Sequence, residues 1–296
     1  MKDGHVHTSF CPHGTKDHIE DYVKRALELE YTEITFAEHA PLPEGFIDPT
    51  PMKDSAMSYE DLEPYFEAIE EAKVKYHGKI KINSGFEIDF IEGYEIQTAN
   101  FLNEFGPRLD DAVLSVHFLK NESGAYDCLD YSPERFGEMV EAYGSVEKVH
   151  RHYYQTVLKS ILADLGPYKP KRIGHITLAN KFRLKYPVEL ECTEEIIEIL
   201  ENVAKQGYEL DYNGAGTAKP LCREPYPPDW VISEAKKRGI RLIYGSDAHQ
   251  AKELGQGLDI MLVKNKETGS FTGFLYIDQH FLLHLMTGTK RSFDPL

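Results

Sequence analysis

Residues 241–249 read RLIYGSDAH, a short apolar run that breaks at a glycine and closes on Asp247 and His249. A run this brief, bounded by Gly and rich in aliphatic and aromatic residues, reads as a buried strand with titratable groups at its C-terminal end. The pattern recurs upstream in GHVH (4–7), EITFAEH (33–39), KIKINSGFEI (79–88), DAVLSVHF (111–118), RIGHI (172–176) and YELDYN (208–213). Read to their C-terminal ends, these strands finish on His5 and His7, Glu38 and His39, Glu87, His117, His175 and Asn213. Between them lie segments with apolar residues three and four apart, such as 17–30, 59–76 and 193–207, which predict amphipathic helices. Ser58 stands as an N-cap, and Gly78 and Gly207 as C-caps.

Strands joined by helical crossovers pair in parallel and are covered on both faces, so the fold is α/β, either a doubly wound sheet or a (β/α) barrel. An open sheet strings its strand ends along a line, whereas a barrel gathers them around one mouth. Ligand-type residues at the end of every strand therefore favour a TIM-like barrel; seven strands are read, and periodicity fixes that number only to within about one. The absence of repeats or long linkers predicts a single domain over 1–296.

The chain opens MKDGHVHTSFCPHG. His5 and His7, one residue apart on a strand, present both rings to the same side and form a chelate. With His13, His39, Glu87, His117, His175, Asp247 and His249 they make seven histidines and two carboxylates converging on the mouth. Such a set suits zinc, iron or manganese, and the scarcity of thiolate nearby argues against a closed structural zinc site. Cys11, between His7 and His13, reads as a loop residue, with a thiol ligand as the lesser alternative.

A formal charge of -16 repels phosphate backbones and anionic lipid, which disfavours nucleic acid or membrane surfaces as partners and favours small molecules. The four cysteines form no CxxC pair and read as reduced thiols. No signal peptide or apolar run of membrane-spanning length is evident, so the expectation is a cytoplasmic protein. The sequence leaves a homo-oligomer open.

HVH, EH at 38–39, GFE at 85–87, SVH at 115–117, GH at 174–175 and GSDAH at 245–249 together resemble the polymerase and histidinol phosphatase (PHP) family. FCPHG at 10–14 and YPP at 226–228 resemble its histidinol-phosphate phosphatase branch. The resemblance implies a distorted (β/α)7 barrel with three divalent transition-metal ions. It implies a first ion on His5, His7, Glu87 and Asp247, and a second on His13, His39 and His249. The third falls to His117 and His175, with Glu87 bridging it to the first. Glu87, Asp247 and His249 are the residues expected to carry catalysis. Two positions depart from the family pattern: DYNGAG at 211–216 and Thr177 after His175. Neither is a ligand in this mapping, and both bear on substrate detail.

The implied reaction is hydrolysis of L-histidinol phosphate in histidine biosynthesis, with the ions clamping the phosphate monoester and generating the nucleophile. Lys181 and Lys219, which follow the fifth and sixth strands, are the first candidates to clamp phosphate, with Arg183 and Arg223 in reserve. The alternatives are a PHP-type phosphoesterase acting on nucleotides or DNA 3′ ends, and a non-catalytic barrel that keeps metal for stability. The former is disfavoured by the acidic balance, the latter by the intact ligand set. His77 reads as a helix-end residue, His150 and His152 as lying on a polar helical face, and His280 and His284 as part of an amphipathic C-terminal segment. His18 starts a helix beside the site. The Pro-rich loop 41–58 is placed to lid the mouth.

Overall fold

A computed structural model describes residues 1–188 and 192–259. His280 and His284 lie outside the described residues. Seven parallel strands form one sheet, in which β1 (Lys2–Val6), β2 (Glu33–His39), β3 (Lys81–Asp89) and β4 (Asp111–Ser115) follow one another in space as in sequence. β5 (Phe118–Lys120) and β6 (Tyr126–Cys128) leave the sheet as an antiparallel hairpin, and β7 (Arg172–Ile173), β8 (Glu209–Asn213) and β9 (Arg241–Gly245) complete it. β9 returns to β1 at the C-terminal ends. The N–H of His7 donates to the Ala248 carbonyl at 2.9 Å, and that of Asp247 to the His5 carbonyl at 2.8 Å. The sheet is thus a nearly closed barrel, as the strand endings predict.

The crossovers are α1 (Ile19–Glu28), α2 (Leu62–Lys75), α3 (Glu95–Phe105), α4 (Pro133–Tyr143), α5 (Val146–Leu162), α6 (Thr193–Gln206), the short α7 (Ala215–Ala218) and α8 (Asp229–Lys237). Their apolar stripes explain their seating. α2 buries Leu62, Tyr65, Phe66, Ile69 and Ala72 at three and four spacing, and the Tyr65 hydroxyl lies 2.9 Å from the Phe36 carbonyl and 2.7 Å from that of Gly85. α6 buries Ile196, Ile199, Leu200 and Val203 in the same way. Each such side chain removed from water is worth about 1.5–3 kcal/mol. Gly207 ends α6 in the left-handed conformation as expected, whereas α2 ends at Tyr76 and Gly78 turns two residues later.

Two differences from the sequence reading matter for the site. The run 111–118 is not one strand: β4 ends at Ser115 and the chain re-enters as the hairpin at Phe118, carrying Cys128 and the following Asp130 and Tyr131 to the mouth. His150 is not on a polar face. It is 2% exposed within α5, and burial pulls its imidazole down to about 4.

Candidate metal centre

Parallel register decides which side chains meet. β2 and β3 pair with His39 opposite Glu87, so the strand-end imidazole and carboxylate are neighbours. From there Glu87 reaches across the barrel with its two oxygens divided. Oε2 lies 3.3 Å from His5 Nε2, 3.5 Å from His7 Nε2 and 3.1 Å from His39 Nδ1, while Oε1 lies 2.9 Å from His175 Nε2 and 3.8 Å from His117 Nε2. One carboxylate therefore separates two sets of imidazoles. Asp247 closes the third side, with Oδ1 3.2 Å from His7 Nε2. It sits just beyond β9 at φ +54, a left-handed backbone that costs energy for a side chain with a Cβ and recurs at functional sites. Gly245 is needed because a Cβ there would stand 2.6 Å from the His5 Cβ and 2.4 Å from Asp211 Oδ1.

His13 completes the rim. Its Nδ1 meets the Asp54 carbonyl at 2.7 Å and its Nε2 faces His249 Nε2 at 3.2 Å, while the His249 ring stacks on His7 with centroids 4.0 Å apart. All nine predicted ligands thus come together at one end of the barrel.

The ring nitrogens test whether these groups suit a metal. His5 Nδ1 is 2.8 Å from Asp211 Oδ2, His7 Nδ1 is 3.2 Å from Glu38 Oε1, and His117 Nδ1 is 2.8 Å from Asp89 Oδ1. A carboxylate on Nδ1 fixes the tautomer and leaves Nε2 with its lone pair, as metal-ligating histidines require. Nε2 of His5 and His7 and Nδ1 of His39 are buried with no hydrogen-bond partner, a costly arrangement unless a cation takes the lone pair. Among the described residues, four groups have ligand atoms within 4.8 Å of one another: His5, His7 and Glu87; Glu87, His117 and His175; His39, Asp89 and His117; and His7, Cys11, His39 and His249. These residues fit divalent metal. Cys11 is a loop residue as read, but it is fully buried and belongs to the last set, which puts its thiol within ligand reach of His7, His39 and His249.

Electrostatics agree. Burial opposes charge on Glu87, but the facing His5, His39 and His117 overcome it and hold the carboxyl well below its usual range. For His117 burial is likewise outweighed, by Asp89 and Glu87, which push the ring up to about 10, and Asp247 and Glu38 push His7 to about 9. His39 and His249 go the other way, lowered by burial and by the charge of His7. The carboxylates demand more positive charge than crowded imidazoles can supply together, which is a field that favours cations.

A cavity of about 430 Å³ opens above these residues, and both Lys181 and Lys219 line it. Lys181 Nζ is held by Asp130 Oδ2 at 2.7 Å; Lys219 is exposed. Arg183 and Arg223 do not line the cavity: Arg183 pairs with Glu224 at 3.2 Å, and Arg223 is exposed on a left-handed turn. Thr50, Asp54 and Ser55 of the 41–58 loop line one wall, where a lid was expected.

The sequence reading passed over the carboxylates behind the histidines. Asp89 falls one residue beyond the run assigned to the third strand, although it shares the face of Glu87 two residues earlier, a signal the period of two contains. Asp211, taken only as a departure near the substrate, instead pins His5. Asp130 carried no signal, because its place depends on the hairpin.

A PHP domain family model matches residues 3–215. The chain is 45% identical to the histidinol-phosphatase of Bacillus subtilis, over 88% of this chain and 98% of that protein. A crystal structure of a candidate histidinol phosphatase from Listeria monocytogenes superposes with a TM-score of 0.84 at 41% identity, covering 88% of this chain and 99% of that one. The Lactococcus lactis histidinol phosphate phosphatase, solved with zinc, L-histidinol and phosphate, shares the fold with a TM-score of 0.66 at 18% identity, over 92% of this chain and 94% of that one. The family model's span of residues 3–215 and the 45% identity over most of the chain lead to one conclusion: the chain belongs to the PHP domain family.

Proposed function

We propose that this protein is a histidinol-phosphatase, a metal-dependent phosphoric monoester hydrolase that converts L-histidinol phosphate to L-histidinol and phosphate in histidine biosynthesis. The observation that carries the reading is Glu87, one carboxylate dividing two sets of imidazoles under a cavity lined by two lysines. The 45% identity to the Bacillus enzyme supports the substrate, as do the zinc, histidinol and phosphate of the Lactococcus structure.

Three divalent ions are assigned, in zinc, iron or manganese form. His5, His7, Glu87 and Asp247 would hold the first, His13, His39 and His249 the second, and His117 and His175 the third, with Glu87 shared. Bound there, such ions supply Lewis-acid charge to a phosphate dianion and lower the pKa of water. The chain's own residues prepare the site. Asp211, Glu38 and Asp89 accept from Nδ1 and keep the opposite nitrogens available. Lys181 and Lys219 direct positive charge at the phosphate, and Asp130 holds Lys181 in position. We read residues 1–296 as one phosphatase domain.

The test is phosphate release by metal-loaded protein from L-histidinol phosphate, nucleotides, sugar phosphates and a 3′-phosphorylated DNA oligonucleotide. Histidinol phosphate should be preferred by kcat/KM. Preference for a nucleotide or the oligonucleotide overturns the reading.

A further inference from the structure

The cavity is lined by six carboxylates, and five are already engaged. Glu87 and Asp247 stand among the imidazoles, Asp89 holds His117, Asp130 holds Lys181, and Glu253 accepts the His249 N–H at 3.0 Å. The sixth is Asp54. Its backbone carbonyl meets His13, but among the described residues its carboxylate has no hydrogen bond or ion pair. The segment that carries it is preorganised: Asp48 accepts the N–H of Thr50 at 2.8 Å and of Ser55 at 3.1 Å, and its carbonyl accepts Lys53 Nζ. A carboxylate held on the wall of a cavity without a partner is suited to a cationic group of the ligand.

We propose that Asp54 receives the primary ammonium of the substrate and makes the 41–58 loop the specificity element of the site. The inference rests on the histidinol phosphate reading above. In that substrate two carbons separate the amine from the ester oxygen, so ammonium and phosphorus lie about 4 to 5 Å apart by ordinary bond lengths. Asp54 is suitably close to the phosphate end. Its backbone carbonyl touches His13, itself one of the nine predicted ligands, whose other nitrogen faces His249 at 3.2 Å, so the loop abuts the ligand cluster directly. The dianion and the ammonium then meet opposite charges on adjoining walls. Phosphate esters without an amine gain nothing from Asp54.

The experiment compares metal-loaded wild type with Asp54→Asn, which keeps the shape and the backbone carbonyl. The kcat/KM ratio of L-histidinol phosphate to an aryl phosphate should fall about 10- to 100-fold, the scale of one charged hydrogen bond. The inhibition constant of L-histidinol against aryl phosphate hydrolysis should rise by a similar factor, and Asp54→Glu should recover part of both. Metal content, read by elemental analysis, should match wild type. A ratio or an inhibition constant within two-fold of wild type overturns the assignment of Asp54 and leaves the activity standing. Wild type that hydrolyses the aryl ester but not histidinol phosphate overturns the substrate reading instead.

Discussion

At the floor of the barrel the guanidinium of Arg172, 2% exposed, donates to the Gly4 carbonyl at 2.8 Å and to Asp111 at 3.0 Å, and Lys2 and Thr35 reach the same carboxylate at 2.8 and 2.9 Å. At the mouth, carboxylates and imidazoles crowd together; ring nitrogens there are buried without a hydrogen-bond partner, as are Arg172 Nε and Nη1 at the floor, so the difference lies in the pairing of charge. Both ends bury charge, but at the floor opposite charges are paired around Asp111, whereas the mouth is short of cations. Burial of charge is therefore not by itself a sign of function. What separates the two ends is whether the protein completes its own charge balance.

The comparison breaks most readily at Glu87. Glu87→Gln keeps the side chain's volume but removes the negative charge between the two imidazole sets. It should lower turnover by about 1000-fold or more and reduce bound metal, as elemental analysis would record, while thermal unfolding of the metal-free protein stays near wild type or rises. Near wild-type turnover at saturating metal would place the shared carboxylate elsewhere.

Asp111→Ala should do the reverse. Stranding the buried Arg172, while Lys2 keeps Glu33 at 3.3 Å, costs about 3 kcal/mol of stability by denaturant unfolding, with metal content unchanged. Loss of metal without loss of stability would mean that the two ends are coupled.

The lysines sharpen the contrast within the mouth. Lys219→Met should lower kcat/KM for histidinol phosphate by about 10- to 100-fold with metal retained. Lys181→Met should cost more, because it leaves the Asp130 carboxylate facing the phosphate, and adding Asp130→Asn should recover part of the loss. Equal effects of the two single variants would show that Asp130 is not felt at the site.

The smallest effect concerns a buried imidazole outside the site. His150 titrates near its ordinary 6.5 in the unfolded chain but near 4 when folded. As pH falls between these values the unfolded chain gains a proton that the folded chain refuses, so stability is complete above 6.5 and declines towards 4. His150→Gln should flatten that acid-side decline by about 2 kcal/mol at pH 5, measured as unfolding free energy against pH. An unchanged slope would show that His150 does not contribute to it.

Much of the mouth was legible because a strand spends its polar residues where it leaves the core. His5 and His7 on one face, the Glu87 of GFE and the Asp247 of GSDAH are local facts, set by a period of two and by the burial of everything before them. The seven-stranded barrel followed from gathering those ends. The carboxylates behind the rings were harder to read. Asp211 meets His5 over 206 positions of chain and Glu38 meets His7 over 31, distances at which residue spacing says nothing about contact.

The succession of strands and the titratable residues at their C-terminal ends thus follow from the linear pattern, because alternation and hydrophobic burial act between near neighbours. Tertiary closure settled which oxygen of Glu87 faces which histidines, which of four basic side chains line the cavity, and that the chain after Ser115 turns back as a hairpin to carry Asp130 to Lys181. These depend on the register across β2 and β3, on the return of β9 to β1 and on loop paths. Such contacts are fixed by the packing of the whole barrel, since no local rule relates residues so far apart in the chain.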